Sequence, residues 1–132
     1  MKKLALVTMG ILASGMAHAE GDAAAGAIVF KKCQTCHMVG DDAKTRVGPI
    51  LNGVFGRTAG TLEGYKFSPA MIAAGEQGLV WTPAVMAEYL PKPRTFIKGT
   101  KMTFPGLRDQ ADIDNLVAYL LTYSPNWKPG SS

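Results

Sequence analysis

A five-residue motif, Cys33-Gln-Thr-Cys-His37, constrains this chain more than any other feature of its sequence. Two cysteines separated by two residues and followed at once by histidine form the attachment signature of a c-type haem. At this spacing each thiol can add across one vinyl group of the macrocycle, and the imidazole then reaches the iron. The motif therefore predicts that Cys33 and Cys36 bind haem covalently and that His37 is an axial iron ligand.

Two other kinds of site use a Cys-x-x-Cys pair, and the rest of the sequence fits neither. A thioredoxin-like redox centre belongs to a βαβ unit, but no alternating strand pattern of useful length occurs here. A structural zinc site needs a second pair of ligands, and Cys33 and Cys36 are the only cysteines of the chain. Haem attachment is therefore the favoured interpretation.

The first 19 residues have the pattern of a cleaved signal peptide. Lys2 and Lys3 give a positive start, residues 4–16 are mostly apolar, and Ala17-His18-Ala19 ends in the small-x-small pattern that signal peptidase cuts. A retained anchor is the alternative, but the apolar run is shorter than the about 20 residues of a membrane span. We expect residues 20–132 to be one exported domain in the periplasm, without stable membrane insertion.

Processing changes both the histidine count and the charge. Loss of His18 leaves His37 as the only histidine, which excludes a bis-histidine or multi-haem protein. Loss of Lys2 and Lys3 lowers the formal net charge from +4 to +2. This weak charge and the lack of a recognition module argue against nucleic acid as a partner. The remaining basic residues form either an ordinary solvated surface or a rim that docks acidic partners.

Helix signals and glycine-rich loops predict a small all-α domain. Caps, prolines and apolar spacing place the helical segments at 22–33, from Ser68-Pro69, from Thr82-Pro83 to Leu90, at 94–97 after Pro93, and from Asp109 or Asp112 to Ser124-Pro125. Residues 47–64 and 99–106 are long loops, which a compact domain rarely contains unless something orders them. A buried macrocycle would supply the missing packing surface.

Methionine is the natural candidate for the second axial ligand, because a thioether is a soft, neutral ligand that suits iron. The candidates are Met38, Met71, Met86 and Met102. Met38 adjoins His37 and would hardly reach the far face of the ring, and core packing accounts for a methionine within a short helix. Met102 lies in a helix-free loop that can fold over that face. The sequence therefore predicts Met102 as the ligand.

These landmarks together resemble a class I cytochrome c of the bacterial, mitochondrial-like type, and the resemblance covers residues 20–132. They occur in the family's order: Cys33-Gln-Thr-Cys-His37, Gly48-Pro49, Gly53-Val-Phe-Gly-Arg57, Trp81, Tyr89, Gly99-Thr-Lys-Met102 and a last helix with Tyr119. The resemblance implies the class I fold, in which several helices and long loops surround one covalent haem and the first and last helices cross. Gly26, Phe30, Leu116 and Tyr119 match that crossing.

The resemblance also implies roles for five residues around the haem. Pro49 is expected to accept a hydrogen bond from the His37 imidazole, and Tyr89 to reach the methionine sulfur with its hydroxyl. Thr100 is expected near a haem propionate. Arg57 and Trp81 match groups that hold propionates inside the protein, where unpaired carboxylates are costly.

The sequence departs from the family pattern at Phe67. Many relatives have a tyrosine here whose hydroxyl contacts a propionate. Either Tyr65 supplies this hydrogen bond instead, or the hydrogen bond is absent.

The function that the resemblance implies is one-electron transfer by a soluble, monomeric periplasmic carrier. Its expected partners are redox proteins: a cytochrome bc complex, a terminal oxidase, a reaction centre or another reductase. A basic surface around the haem edge would dock them, with Lys31, Lys32, Lys98 and Lys101 as candidates. A haem peroxidase or a gas sensor would need an open axial position, and the residues do not separate photosynthetic, aerobic and denitrifying roles.

Overall fold

The structure, a computed structural model, describes residues 21–130. It is all-helical, as predicted, with five helices in the described part: α1 (Ala23–Phe30), α2 (Pro69–Glu76), α3 (Pro83–Tyr89), α4 (Pro93–Phe96) and α5 (Gln110–Leu121). Strand pairing in these residues is limited to one isolated bridge between Thr58 and Val80. The helices of residues 21–130 are all too short or too polar to cross a membrane. The predicted signal peptide, residues 1–19, lies outside the described residues.

Four of the helices begin at the polar caps that the sequence indicated. The side chains of Asp22, Ser68, Thr82 and Asp109 each accept a hydrogen bond from a backbone N–H of the first turn. Such a cap satisfies a donor that has no partner within the helix and contributes about 1 kcal/mol. For α5, this settles the choice between Asp109 and Asp112 in favour of Asp109.

The first helix ends at Phe30, three residues earlier than predicted. From Lys31 the chain continues in tighter turns: the N–H groups of Lys31 and Cys33 bond to the carbonyls three residues back, Ile28 and Phe30. These tighter turns lead into the haem motif, which itself forms one compact turn. Within that turn the His37 N–H donates to the Cys33 carbonyl at 2.8 Å.

The first and last helices, α1 and α5, cross at Gly26, where their backbones lie too close for any residue larger than glycine. A Cβ built on Gly26 would overlap the backbone carbonyl of Asn115 in α5. Next to this point, the Phe30 and Tyr119 rings lie 5.4 Å apart between centroids. The Asn115 side chain accepts a hydrogen bond from the Asp22 N–H at 2.8 Å. The crossing that the family resemblance implied is confirmed.

The two long loops contain neither helix nor strand, and backbone hydrogen bonds to the segments that follow α5 and precede α3 hold the first loop, residues 47–64, in place. Gly53 donates to the Tyr123 carbonyl at 2.7 Å, and Gly56 to the Trp81 carbonyl at 2.7 Å. These attachments bring the middle of the chain around the space between the helices.

Candidate functional site

A largely apolar cavity of about 320 Å³ lies between the motif turn, the helices and the two long loops. It brings together the nine site residues predicted from the sequence: Cys33, Cys36, His37, Pro49, Arg57, Trp81, Tyr89, Thr100 and Met102. These residues come from distant parts of the chain, so their convergence depends on the tertiary fold. The size and apolar walls suit a large, flat, mostly apolar cofactor.

The imidazole of His37 is fixed on one side by the segment after the motif. Its Nδ1 lies 2.7 Å from the Pro49 carbonyl oxygen, a group that only accepts, so Nδ1 carries the proton. Gly48 lies flat against the ring, and a Cβ there would come within 2.6 Å of the His37 Cε1. Burial lowers the pKa of His37, and the hydrogen bond to Pro49 only partly opposes this. The ring is therefore neutral, with Nε2 available to a metal.

Both motif thiols are free and line the cavity. Burial and the neighbouring Cys36 raise the pKa of Cys33 to about 11, although Lys32 acts in the opposite direction. A redox-active Cys-x-x-Cys pair needs the reverse, a lowered thiol pKa. The electrostatics of this turn therefore argue against a thioredoxin-like centre and fit cysteines that become thioethers.

The sulfur of Met102 is the one methionine sulfur in the described residues for which a hydrogen bond is seen. The Tyr89 hydroxyl donates to it at 3.1 Å, and the Met102 N–H donates to the Thr100 Oγ1 at 3.3 Å. Burial raises the pKa of Tyr89, so its hydroxyl stays a donor. Met71 and Met86 also line the cavity from within α2 and α3. Position on a helix-free loop and the Tyr89 contact favour Met102 over both.

Arg57 brings a positive charge to the cavity wall. Its guanidinium donates to the carbonyl of Asn52 at 2.7 Å and to that of Ile50 at 3.3 Å. Burial lowers the pKa of Arg57 because desolvation disfavours the charge, while the two carbonyls stabilise it. Trp81, also on the wall, packs edge-on against Tyr89 with the ring centroids 4.9 Å apart.

Next to Phe67, where the sequence departs from the family pattern, the Tyr65 hydroxyl already forms a hydrogen bond within the protein. It donates to the Val47 carbonyl at 2.9 Å, and its ring packs edge-on against Phe67 at 4.7 Å between centroids. Tyr65 and Phe67 both line the cavity. Tyr65 therefore lies on the cavity wall, and its substitution for the missing propionate contact stays a prediction.

The four predicted docking lysines separate into two pairs. All are exposed, but Lys32 and Lys101 line the cavity, whereas Lys31 and Lys98 do not. The Lys101 ammonium donates to the Lys66 carbonyl at 2.6 Å and lies 5.2 Å from the centre of the Tyr65 ring. The sequence analysis missed this contact, because a backbone carbonyl 35 residues away leaves no mark in the sequence.

Two free thiols, a neutral imidazole and a thioether around one apolar cavity are the donor set of a covalently bound haem. The family model described as cytochrome c matches residues 23–124. The chain belongs to the cytochrome c family.

Among similar proteins, this cytochrome c is 50% identical over 106 residues to the cytochrome c2 of Afifella marina, covering 80% of this chain and 86% of the relative. It is 47% identical over 110 residues to the cytochrome c2 of Agrobacterium tumefaciens (strain II Chrys), covering 83% and 98%. The structure of cytochrome c2 from Rhodospirillum centenum aligns with a TM-score of 0.77 at 45% identity, covering 80% of this chain and all of that one.

Membership of this family confirms two predictions made from the sequence, one from the motif and one from the family resemblance. The cofactor is a haem c bound covalently through the Cys-x-x-Cys-His cysteines, Cys33 and Cys36. The protein is a cytochrome c2-like electron carrier and not an enzyme. Its partners are accordingly redox proteins.

Proposed function

We propose that this cytochrome is a periplasmic carrier that moves single electrons between membrane respiratory or photosynthetic complexes and terminal acceptors, with His37 and Met102 as its axial iron ligands. The observation that carries the proposal is the Tyr89–Met102 hydrogen bond of 3.1 Å in a cavity that also contains His37. When bound, haem c supplies the one-electron ferrous–ferric couple.

Two different hydrogen bonds position the proposed ligand side chains, His37 and Met102. The Pro49 carbonyl fixes the His37 tautomer and strengthens Nε2 as a ligand. The Tyr89 hydroxyl orients the Met102 thioether and withdraws electron density from its sulfur. If His37 and Met102 both held the iron of a haem c, no ligand position would be left for a substrate, and the site would support electron transfer.

Arg57, Trp81 and Thr100 are proposed to stabilise the haem carboxylates. The Arg57 guanidinium supplies a half-buried positive charge, and Trp81 and Thr100 add hydrogen-bond donors that line the same cavity. Enclosure by apolar residues and methionine ligation both favour the ferrous state, because they disfavour the additional positive charge of the ferric one.

The test of the ligand pair is the near-infrared sulfur-to-iron absorption band of the oxidised protein. We expect the band in the wild type and its loss in Met102→Ala. Met71→Leu is the matched control, because it replaces another cavity-lining methionine and should keep the band. A covalent haem without the band, or a band that survives Met102→Ala, would refute Met102 ligation. Carbon monoxide binding by the reduced wild type would then favour the peroxidase or sensor interpretation.

Docking through Lys31, Lys32, Lys98 and Lys101 is proposed on their exposure and charge. These lysines would raise the association rate with an acidic partner surface and make it depend on salt. Reversing all four to glutamate should slow reduction by a cytochrome bc complex and flatten its salt dependence. Arg108→Glu, at an exposed site that does not line the cavity, is the control. Unchanged rates in the fourfold variant would refute this docking surface.

The periplasmic location is proposed on the signal-peptide pattern of residues 1–19. N-terminal sequencing of the exported protein tests it, with Glu20 expected as the first residue. A mature chain that begins at Met1 would contradict it.

A further inference from the structure

The segment that follows α5 packs against the loop formed by residues 53–57. Gly53 donates to the Tyr123 carbonyl at 2.7 Å, and the Phe55 N–H donates to the Ser124 Oγ at 3.2 Å. The Trp127 ring lies 6.3 Å from the Phe55 ring between centroids. The carbonyl of Tyr123, the hydroxyl of Ser124 and the ring of Trp127 together form what we name the C-terminal brace.

The Ser124 hydroxyl and the Trp127 ring of the C-terminal brace contact the 53–57 loop in different ways. Ser124 is one of the two buried polar side chains among residues 21–130, with 4% of its surface exposed, and its hydroxyl satisfies a buried backbone donor. The buried indole N–H of Trp127 has no hydrogen-bond partner in the described chain. Trp127 therefore acts by ring packing: besides contacting Phe55, its Cδ1 would lie 3.5 Å from a Cβ built on Gly56.

The braced loop ends at Arg57, and a second attachment fixes the main chain there. The Gly56 N–H donates to the Trp81 carbonyl at 2.7 Å, and the Trp81 N–H donates to the Arg57 carbonyl at 2.9 Å. The backbone that leads into the Arg57 side chain is thus held both by Trp81 and by the C-terminal brace.

Arg57 is also the residue shared by two cavities. It lines the main cavity and a surface cavity of about 370 Å³ between the 53–57 loop and the brace. The other cations on the main cavity wall, Lys32 and Lys101, are exposed, whereas Arg57 is partly buried. A displacement of the loop would therefore move the least screened positive charge of the cavity.

We propose that Ser124 and Trp127 are positioning residues for Arg57, and that through Arg57 they set the reduction potential of the haem. A guanidinium held at the cavity disfavours the more positive ferric state, so a loosened brace lowers the potential. The inference rests on the proposed function, in which Arg57 faces the haem carboxylates.

The first experiment measures equilibrium reduction potentials of the haem-loaded protein. Ser124→Ala and Trp127→Ala should each lower the potential, by less than Arg57→Gln does, and Trp127→Phe should restore most of the wild-type value, since an aromatic ring remains and no hydrogen bond is lost. Tyr123→Phe is the matched control. It removes a hydroxyl 3.3 Å from that of Tyr119 but keeps the carbonyl that binds Gly53, so its potential should not change.

The second experiment repeats Ser124→Ala and Trp127→Ala in an Arg57→Gln background. If the brace acts through Arg57, these substitutions should produce no further shift there. A persistent shift would overturn the proposal, as would lowered thermal stability of the single variants with unchanged potentials, which is the behaviour of a merely structural contact. An unchanged potential in Arg57→Gln would refute the role of Arg57 itself, while the near-infrared band tests the His37–Met102 ligand pair of the proposed function separately.

Discussion

The Tyr89 hydroxyl donates a hydrogen bond to the Met102 sulfur across 3.1 Å, joining the last residue of α3 to the loop that precedes α5. The Tyr89 side chain is almost completely buried and packs against Trp81 on one side and Phe96 on another. Because its ring cannot move without disturbing both neighbours, the hydroxyl is a fixed point against which the Met102 thioether is set.

Replacing Tyr89 by phenylalanine should lower the reduction potential. The lost hydrogen bond returns electron density to the sulfur, which then favours ferric iron. A hydrogen bond contributes about 0.5–1.5 kcal/mol, and 1.4 kcal/mol corresponds to about 59 mV for one electron, so the shift should be in the tens of millivolts. Potentiometric titration of Tyr89→Phe measures it, with Tyr123→Phe as the control hydroxyl removal. A potential equal to the wild-type value would contradict the role given to this bond.

Replacing Lys101 by alanine should loosen the loop that carries Met102. The variant loses the 2.6 Å bond to the Lys66 carbonyl and the contact with the Tyr65 ring. An exposed interaction of this kind contributes about 0.5–1 kcal/mol, so added imidazole should displace Met102 with an affinity about two- to fivefold higher. An optical titration of the oxidised protein measures this affinity.

Lys98→Ala is the matched control for Lys101, because it removes an equally exposed lysine from the start of the same loop. Its imidazole affinity should equal that of the wild type. If both variants bind imidazole more tightly by the same factor, the effect comes from lost charge and not from the Lys101 contact.

The tyrosine pair on α5 and its following turn should show a pH effect above pH 10. The hydroxyls of Tyr119 and Tyr123 lie 3.3 Å apart, and this hydrogen bond is the main cause that raises the pKa of Tyr119 from 10.0 to about 12. Between these values the unfolded chain binds fewer protons than the folded one, so this contribution to stability falls as the pH rises from about 10 to 12. NMR of ¹³C-labelled tyrosine should show Tyr119 titrating near 12 in the wild type and nearer 10 in Tyr123→Phe. A Tyr119 pKa that is the same in both proteins would contradict the coupling.

Gly26→Ala should destabilise the protein although alanine is the better helix former. Propensity alone would stabilise α1 by about 1 kcal/mol, but the new Cβ would overlap the Asn115 carbonyl and force α1 and α5 apart. Overpacking of this kind costs about 1–3 kcal/mol or more. Urea unfolding measures the change, with Ala24→Gly at an exposed position of the same helix as the control, where we expect a loss of no more than about 1 kcal/mol. A Gly26→Ala variant as stable as the wild type would contradict the predicted destabilisation, and one more stable by about 1 kcal/mol would show that the crossing widens freely.

Much of the fold follows from short stretches of sequence. The caps at Ser68 and Thr82, each followed by proline, determined where α2 and α3 begin, since a cap acts on the backbone N–H groups of the next few residues. The end of α1 was placed three residues too late, because the turns from Lys31 onwards depend on how the motif is wrapped and not on helix propensity.

The sequence by itself determined the haem motif and the cofactor class, because these depend on reactive side chains with recognisable spacing, and it predicts Met102 as the second ligand. Only the tertiary structure showed that Gly48 lies flat on His37, that Lys101 reaches the Lys66 carbonyl and that Ser124 bonds to the loop of Arg57. The physical reason lies in the kind of group that each of these side chains contacts. Most of these contacts involve a backbone N–H or carbonyl group, and almost every residue has both. The sequence therefore does not indicate which side chain meets which backbone group, and the folded path of the chain decides it.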